Sequence, residues 1–340
     1  GVASLVAMLA TRSPGLTVRD LIADWAVANH LDRTDLAEGR YGYRGADPRA
    51  APEARLTALP AAYEGSVAQY ASDYIAVAPP PTGGTLRLTL DGRATVPLVP
   101  NAPASGDYQW WSNRGDASHA TLERTLDLRA VRGASLTYDL WYDIETGWDY
   151  AYLRASTDGG RTWTVLRGNH MSDYNPNGNA LAPGYTGVSG TDPERGAKGA
   201  EPAWVREAVD LTPLAGKRVL LRFDYVTDDA VNLPGMCLDN FAVEAIGWAD
   251  DVEEGEEEWR TVGFVRHDNI LPQEWVVSVI VPGPEPRVER FYAAPDGTGV
   301  WRVALPDGLE EDLIVVVTAL APTTTERAEY TVSVGIGAEK

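Results

Sequence analysis

The sequence contains a single cysteine, Cys237, among its 340 residues. One cysteine cannot form an intrachain disulfide, and its isolation excludes zinc or iron–sulfur sites built from four cysteines. Only four histidines occur, and none lies in an H-E-x-x-H segment or within four residues of another. A zinc peptidase site therefore cannot be assembled from local sequence.

Basic residues are also scarce, because 29 lysines and arginines stand against 49 acidic residues, a net charge of −20. Such a charge repels nucleic-acid phosphates and anionic lipids, so neither is an expected partner. No apolar run reaches the roughly 18 residues that a membrane-spanning helix needs, so no membrane span is predicted. The excess of carboxylates makes a site for divalent cations easier to form, but a solvated acidic surface that keeps an extracellular protein soluble is the favoured explanation.

Residues 1–54 carry the helical patterns of the chain. The apolar segment from Val2 to Ala10 lacks the basic flank and cleavage signature of a signal peptide, which indicates a piece of a longer protein. After a break, Thr17 is a candidate N-cap for an amphipathic helix with Leu21, Ile22 and Trp25 on its apolar stripe. We therefore predict a helical segment of a preceding domain, followed by an Ala- and Pro-rich connector.

The remainder of the chain is predicted to be mainly β. Short segments such as Thr85 to Leu90 alternate apolar and polar residues between Gly- and Pro-rich breaks, and residues 55–248 thus predict a jelly-roll-like β sandwich. The run from Asp250 to Glu258 has seven acids in nine residues, which predicts an extended linker. Residues 259–340 then predict a second, smaller β sandwich. Within the first sandwich, the long polar loop at 168–199 is typical of a functional or flexible segment.

Three acidic residues, Asp143, Glu145 and Asp149, surround a turn between two predicted strands. Spacing of two places Asp143 and Glu145 on one face of a strand, and Asp149 could close an oxygen-lined pocket from across the turn. A structural calcium ion is one interpretation of this group. Plain surface acids are another, and a glycosidase pair of Glu145 and Asp149 is a third.

A second candidate pair, Asp239 and Asn240, lies inside an otherwise apolar strand. A buried carboxylate requires a partner, which here would be a cation or backbone amides, unless both residues occupy the exposed face. These two residues complete the predicted metal-site set, together with Asp143, Glu145 and Asp149.

Two further motifs have both structural and binding interpretations. Residues Ser156 to Trp163 fit the S-x-D-x-G-x-T-W pattern of an Asp box, in which the aspartate stabilises its own turn without doing chemistry. Four tryptophans could form a sugar-stacking platform or an aromatic core, namely Trp110, Trp111, Trp141 and Trp148.

Several passages together resemble immune inhibitor A-type secreted bacterial metallopeptidases. They occur in the same order in that family: Asp24 to Asn29, Gly39 to Tyr43, Trp110 to Asp116, Tyr138 to Tyr152, the Asp box, Gly184 to Gly187, Leu238 to Phe241, and Ala319 to Tyr330. The W-W-S and G-W-D-Y segments are the most specific of these.

The resemblance implies a helical end of a zincin-like domain, a jelly roll that can hold calcium and a terminal sandwich. It also implies that the zinc-binding segment precedes this chain. We therefore expect a non-catalytic accessory region of a secreted metallopeptidase, with structural calcium and without zinc. Its expected partners are the upstream catalytic domain of the same polypeptide and an extracellular protein or glycan, and the alternative function is a carbohydrate-binding or adhesion module.

Overall fold

The computed structural model describes residues 15–45, 47–195, 199–255 and 257–337. The apolar segment from Val2 to Ala10 lies outside the described residues. The chain forms two compact units. The first combines the described residues up to Val99 with those from Ile270 onward, and the second is Pro100–Asn269.

Within the described residues, one α-helix, α1 (Val18–Leu31), opens the first unit and begins at the predicted N-cap. The Thr17 hydroxyl accepts the N–H of Asp20 at 3.2 Å, and Asp20 in turn accepts the N–H of Thr17 at 2.9 Å, which is a capping box. Asp32, in the left-handed conformation, ends the helix. Short 3₁₀ turns occur elsewhere, at Ala37–Gly39, Pro193–Arg195, Thr212–Leu214 and Glu244–Ile246. Within the described ranges, no helix has the length and apolarity needed to cross a bilayer.

The strands follow α1 in chain order. The first unit begins with β1 (Ala54–Leu56), β2 (Ala61–Val67), β3 (Ser72–Val77), β4 (Gly84–Gly92) and β5 (Thr95–Val96). The second unit contains β6 (Gln109–Trp111), β7 (His119–Asp127), β8 (Ser135–Ile144), β9 (Tyr150–Ser156), β10 (Thr164–Val165), β11 (Gly187–Val188), β12 (Val205–Asp210), β13 (Arg218–Val226), β14 (Gly235–Val243), β15 (Trp248–Asp250), β16 (Trp259–Val262) and β17 (Val265–His267). The chain then completes the first unit with β18 (Leu271–Pro272), β19 (Glu274–Val281), β20 (Arg287–Tyr292), β21 (Thr298–Leu305), β22 (Leu313–Leu320) and β23 (Ala328–Gly337).

The first unit is a sandwich of a sheet ordered β1-β3-β22-β19-β20 and a sheet ordered β2-β23-β4-β21, with β18 paired to β5 beside them. Strand β22 is buried along its whole length, because its two faces meet different partners. Val315 and Val317 face the second sheet, whereas Ile314 and Val316 contact Ala26 and Val27 of α1. The helix thus packs on this sheet and belongs to the first unit.

These pairings correct the predicted division into 55–248 and 259–340. Strands β2 and β4 lie on either side of β23, with Gly65 and Gly92 both opposite Tyr330, so early and late parts of the chain share one core. Pairing between strands so distant in sequence leaves no local signal, which is why alternation alone did not reveal it.

A buried carboxylate in the first unit makes its stability depend on pH. Burial raises the pKa of Asp73 to about 6, although a 2.8 Å hydrogen bond from the Tyr330 hydroxyl opposes this shift. Because the folded state keeps this proton to a higher pH than the unfolded chain does, the free energy of unfolding falls as pH rises from about 4 to 6. We expect Asp73→Asn to remove this dependence and to stabilise the protein by roughly 2 kcal/mol at pH 7. Calorimetry of both proteins between pH 4 and pH 8 tests this, and parallel pH profiles would contradict it.

The second unit is an antiparallel sandwich, as predicted for a mainly β chain. One sheet is ordered β10-β9-β13-β7-β16, and the other is β11-β8-β14-β6-β17, with β12 also on β8 and β15 on β14. Alternate residues of facing strands fill the core, among them Tyr138 against Phe223 at 5.1 Å between ring centroids. The apolar residues that recur at every second position of the sequence thus form the inner face of each sheet.

The acidic run from Asp250 to Glu258 is not a linker. It follows β15 within the second unit, and Val252 in its middle is buried in the core of that unit. The Glu253 carboxylate accepts two backbone N–H groups, from Asp107 and Tyr108, each at 3.0 Å. Local charge predicted an extended chain, but apolar anchors and hydrogen bonds override the repulsion between neighbouring acids.

Candidate metal centre

The strand register of the second unit brings three separate loops together. His119, at the start of β7, pairs with Val226, at the end of β13, and Val226 pairs with Tyr150, at the start of β9. Residues just before β7, just after β13 and just before β9 therefore meet at one end of this sheet.

Acidic side chains occupy each of these loops. Glu145 and Asp149 lie in the turn between β8 and β9, and Asp228 follows β13. One carboxylate oxygen from each of the three lies within 4.8 Å of the others, which makes them the only group of three potential metal ligands found across the described residues. No histidine belongs to the group.

The turn itself is built to bring its two acids together. The carbonyl of Glu145 accepts the backbone N–H groups of Trp148 at 3.3 Å and of Asp149 at 3.1 Å. Gly147 adopts a positive φ of 79°, and a Cβ there would lie 2.7 Å from the Pro176 ring, so this position requires glycine. The Gly147 N–H donates to the Thr186 hydroxyl at 2.8 Å, which fixes the turn to a neighbouring loop.

Asp149 is the buried member of the cluster, with 0% of its surface exposed. Its Oδ1 accepts the backbone N–H of Asp228 at 2.8 Å, but its Oδ2 makes no hydrogen bond. The Tyr225 hydroxyl interacts with Asp149, and it too is buried without a hydrogen bond of acceptable geometry. Two buried polar atoms without a hydrogen bond of acceptable geometry thus lie together at the acidic cluster.

The electrostatics of the cluster favour an added positive charge. Burial, followed by the nearby charges of Asp228, Glu145 and Asp116, raises the pKa of Asp149 to about 6, against a backbone hydrogen bond that lowers it. Burial together with Asp228 and Asp116 also raises the pKa of Glu145. Carboxylate oxygens in this number are typical calcium ligands, and a divalent ion would offset both the burial of Asp149 and the mutual repulsion.

Two of the five predicted metal-site residues, Glu145 and Asp149, are thus brought together, and Asp143 is not part of their cluster. Asp143 lies on β8 opposite Gly235. Burial raises the pKa of Asp143, nearby Glu201 adds to the shift and Arg114 opposes it. The charged neighbours of Asp143 thus differ from those of Glu145 and Asp149, which lie beside Asp228.

Asp239 and Asn240 lie apart from this cluster. Asp239 is opposite Asp139, four residues along the strands from the Gly235–Asp143 pair, or about 13 Å. Its carboxylate accepts the backbone N–H groups of Ser105 at 3.1 Å and Asn240 at 2.7 Å. Backbone amides, one of the two partners considered from the sequence, thus satisfy this buried acid, and Asn240 instead donates to Asp139 at 2.8 Å.

The sequence analysis did not identify Asp228. The only signal was an acidic pair, Asp228 and Asp229, directly after a predicted strand. Finding it required knowledge that β13 pairs with β9, which depends on tertiary structure.

The glycosidase interpretation fits the geometry poorly. A glycosidase needs both carboxylates in contact with the scissile bond. Glu145 is partly exposed, but Asp149 is fully buried and bonded to the Asp228 backbone. A small ion could reach Asp149, whereas a sugar ring could not.

The predicted aromatic platform does not form. Trp110, Trp111 and Trp141 are 1%, 3% and 2% exposed, whereas Trp148 is 44% exposed. The first three are buried, as the alternative of an aromatic core predicted. Trp148 is the one of the four that is exposed to solvent, and it lies in the turn between Glu145 and Asp149.

Residues Ser156 to Trp163 join β9 to β10 through a dense set of local hydrogen bonds. Asp158 accepts the backbone N–H groups of Arg161 and Thr162, both at 3.0 Å, and the Thr162 hydroxyl at 2.6 Å. The Thr162 hydroxyl is the largest cause of a lowered pKa at Asp158. The side chain is occupied by its own turn, consistent with a structural function.

Comparisons with known proteins found similarity to two bacterial proteins. The chain is 30% identical over 167 residues to the pre-pro-metalloprotease PrtV of Vibrio cholerae serotype O1, which covers 48% of the chain and 16% of that protein. It is also 30% identical over 167 residues to immune inhibitor A of Bacillus thuringiensis subsp. alesti, covering 21% of that protein. The chain therefore corresponds to only a small part of these relatives.

The family match includes the whole second unit and a stretch of the first unit before it. The model described as "Immune inhibitor A-like, MAM domain" matches residues 82–269, and its end is the last residue of the second unit. Because this match covers more than half of the chain, the chain belongs to the immune inhibitor A-like family and carries its MAM domain.

Proposed function

We propose that this chain is a non-catalytic accessory region of a secreted immune inhibitor A-like metallopeptidase, stabilised by a calcium ion at Glu145, Asp149 and Asp228. The observation that carries the calcium proposal is the fully buried Asp149 carboxylate with an unsatisfied Oδ2 beside two further acids. The similarity to two bacterial metallopeptidase-type proteins supports the accessory function.

The ends of β7, β9 and β13 bring three loops near each other. In this proposal, the ion joins these loops. Asp228 reaches Asp149 through its backbone N–H, and its own Oδ1 accepts the N–H of Ala230 at 3.2 Å. The neighbouring loop before β7 is joined to this region where Asn232 donates to Asp116 at 2.9 Å. A calcium ion would rigidify all three loops, so that the domain presents a fixed surface to the catalytic domain of the same polypeptide.

We expect millimolar calcium to raise the melting temperature of the second unit by roughly 5 °C or more relative to EDTA. The reason is that an ion that binds the folded protein, and not the unfolded chain, stabilises the folded state. Asp228→Asn should remove most of this rise in melting temperature, because it removes one of the three negative charges that would bind the ion. Asp229→Asn is the matched control, since Asp229 is the adjacent, exposed acid outside the cluster. Scanning calorimetry of the three proteins is the measurement.

Two results would refute the calcium site. One is an identical melting curve in calcium and in EDTA. The other is an equal loss of the calcium response in both variants, which would indicate a nonspecific effect of surface charge.

A further inference from the structure

The turn that carries two of the proposed calcium ligands also presents an aromatic ring to solvent. Trp148 is 44% exposed and precedes the fully buried Asp149. Its backbone is fixed on both sides, because its N–H donates to the Glu145 carbonyl and its own carbonyl accepts from Asn179 at 3.3 Å. Asn177 holds the preceding residue in the same way, donating to the Gly147 carbonyl at 3.1 Å. The backbone that carries the exposed ring is therefore fixed by an ordered turn and by a second loop bonded to it.

The carboxylates alone cannot complete the shell of a calcium ion. Calcium takes six to eight oxygen ligands. Two of the six carboxylate oxygens in the cluster already accept backbone N–H groups, from Asp228 and Ala230. Glu145 and Asp228 are partly exposed, so the open side of the ion faces solvent. External oxygens would fill the remaining positions there, and Trp148 lies in the same turn as two of the ligands.

We propose that the calcium ion and Trp148 form one composite site for a neutral glycan, in which two adjacent sugar hydroxyls bind the ion and the apolar face of the ring stacks on the indole. This inference rests on the calcium site proposed above. An aromatic plane beside a hydroxyl-binding ion matches a pyranose, which has one apolar face and several hydroxyls.

The charge of the region selects a neutral ligand. The three carboxylates carry one more negative charge than a divalent ion neutralises, and Asp116 lies near Glu145, so negative potential extends across the open side of the site when the ion is bound. Exposed Asp229 and the net charge of −20 add to it. Phosphate, sulfate and sialic acid would be repelled, whereas hydroxyls would not.

The test is binding of the full chain to an array of neutral, sulfated and sialylated glycans, in millimolar calcium and in EDTA. We expect calcium-dependent binding to neutral glycans only, and roughly tenfold weaker binding for Trp148→Ala, the loss expected for one aromatic stacking contact. Trp25→Ala is the matched control, because Trp25 is 52% exposed in the other unit, and it should bind like the unaltered protein.

Melting curves of the same proteins separate this inference from the calcium site. Trp148→Ala should keep the full calcium-induced rise in melting temperature. If calcium raises that temperature but no neutral glycan binds, or if binding survives EDTA or the loss of Trp148, the composite site is refuted and the calcium site stands. If calcium leaves the melting curve unchanged, both proposals fail.

Discussion

Replacing Asp149 with asparagine is expected to raise the melting temperature of the calcium-free protein at pH 7 and to abolish its response to calcium. Burial raises the pKa of Asp149 to about 6, so at pH 7 the folded protein holds an ionised carboxylate in surroundings that disfavour its charge relative to water. The sign follows from linkage: a folded-state pKa above the unfolded value makes the free energy of unfolding fall as pH rises toward 6. Asparagine removes this cost, worth roughly 2 kcal/mol, and its side-chain oxygen can still accept the Asp228 N–H.

Asp239→Asn is the matched control for this experiment. Asp239 is equally buried, and burial also raises its pKa to about 6, but backbone amides satisfy it away from the cluster. This variant should retain the calcium response. A calcium-free Asp149→Asn protein that melts below the unaltered protein, or one that still responds to calcium, would contradict the assignment of Asp149.

Two of the three ligands of the proposed site could be predicted because they lie within one turn. Glu145 and Asp149 flank Gly147 between two segments with clear alternation, so their proximity follows from local sequence. Asp228 follows a strand more than 70 residues away, and its position depends on the register of β13 against β9. No local rule specifies that register, because the same inward-facing pattern would suit several neighbouring strands.

The domain division illustrates the same limit. Alternation correctly predicted strands such as β4, and the candidate N-cap Thr17 marked the start of α1. It could not show that β4 lies beside β23 in the first unit, since both strands carry a similar apolar face. The prediction of a linker at the acidic run was wrong for a different reason. The run is strongly charged, but Val252 within it and Trp259 just after it pack on the core.

The aromatic residues show where composition is ambiguous. Trp110 and Trp148 have the same side chain, yet one is in the core and the other projects from a turn. Trp110 lies in strand β6 and packs in the core of the second unit, whereas Trp148 follows the glycine of a turn. Position relative to strand and turn, rather than the number of tryptophans, separates core from surface.

Replacing Glu207 with alanine is expected to destabilise the second unit by roughly 3–5 kcal/mol, or about 10 °C in melting temperature. Glu207 is fully buried, and its carboxylate accepts the backbone N–H groups of Asn169 at 2.7 Å and His170 at 3.0 Å and the Tyr185 hydroxyl at 3.0 Å. Alanine removes the acceptor of these hydrogen bonds at a position where Glu207 and Tyr185 are both fully buried. The polar loop at 168–199, which composition suggested was functional or flexible, is thus anchored at its start.

This anchor also bears on the candidate site. The loop continues to Asn177 and Asn179, which hold the backbone carbonyls of Gly147 and Trp148. Loosening its start in Glu207→Ala should therefore weaken calcium binding as well as stability, although Glu207 contacts none of the three ligands. Glu123→Ala is the matched control, because Glu123 is a partly buried glutamate in ion pairs with Arg222 and Arg260 on the opposite sheet, and its loss should cost about 1 kcal/mol. Equal melting temperatures for the two variants would show that the Glu207 hydrogen bonds do not anchor the loop.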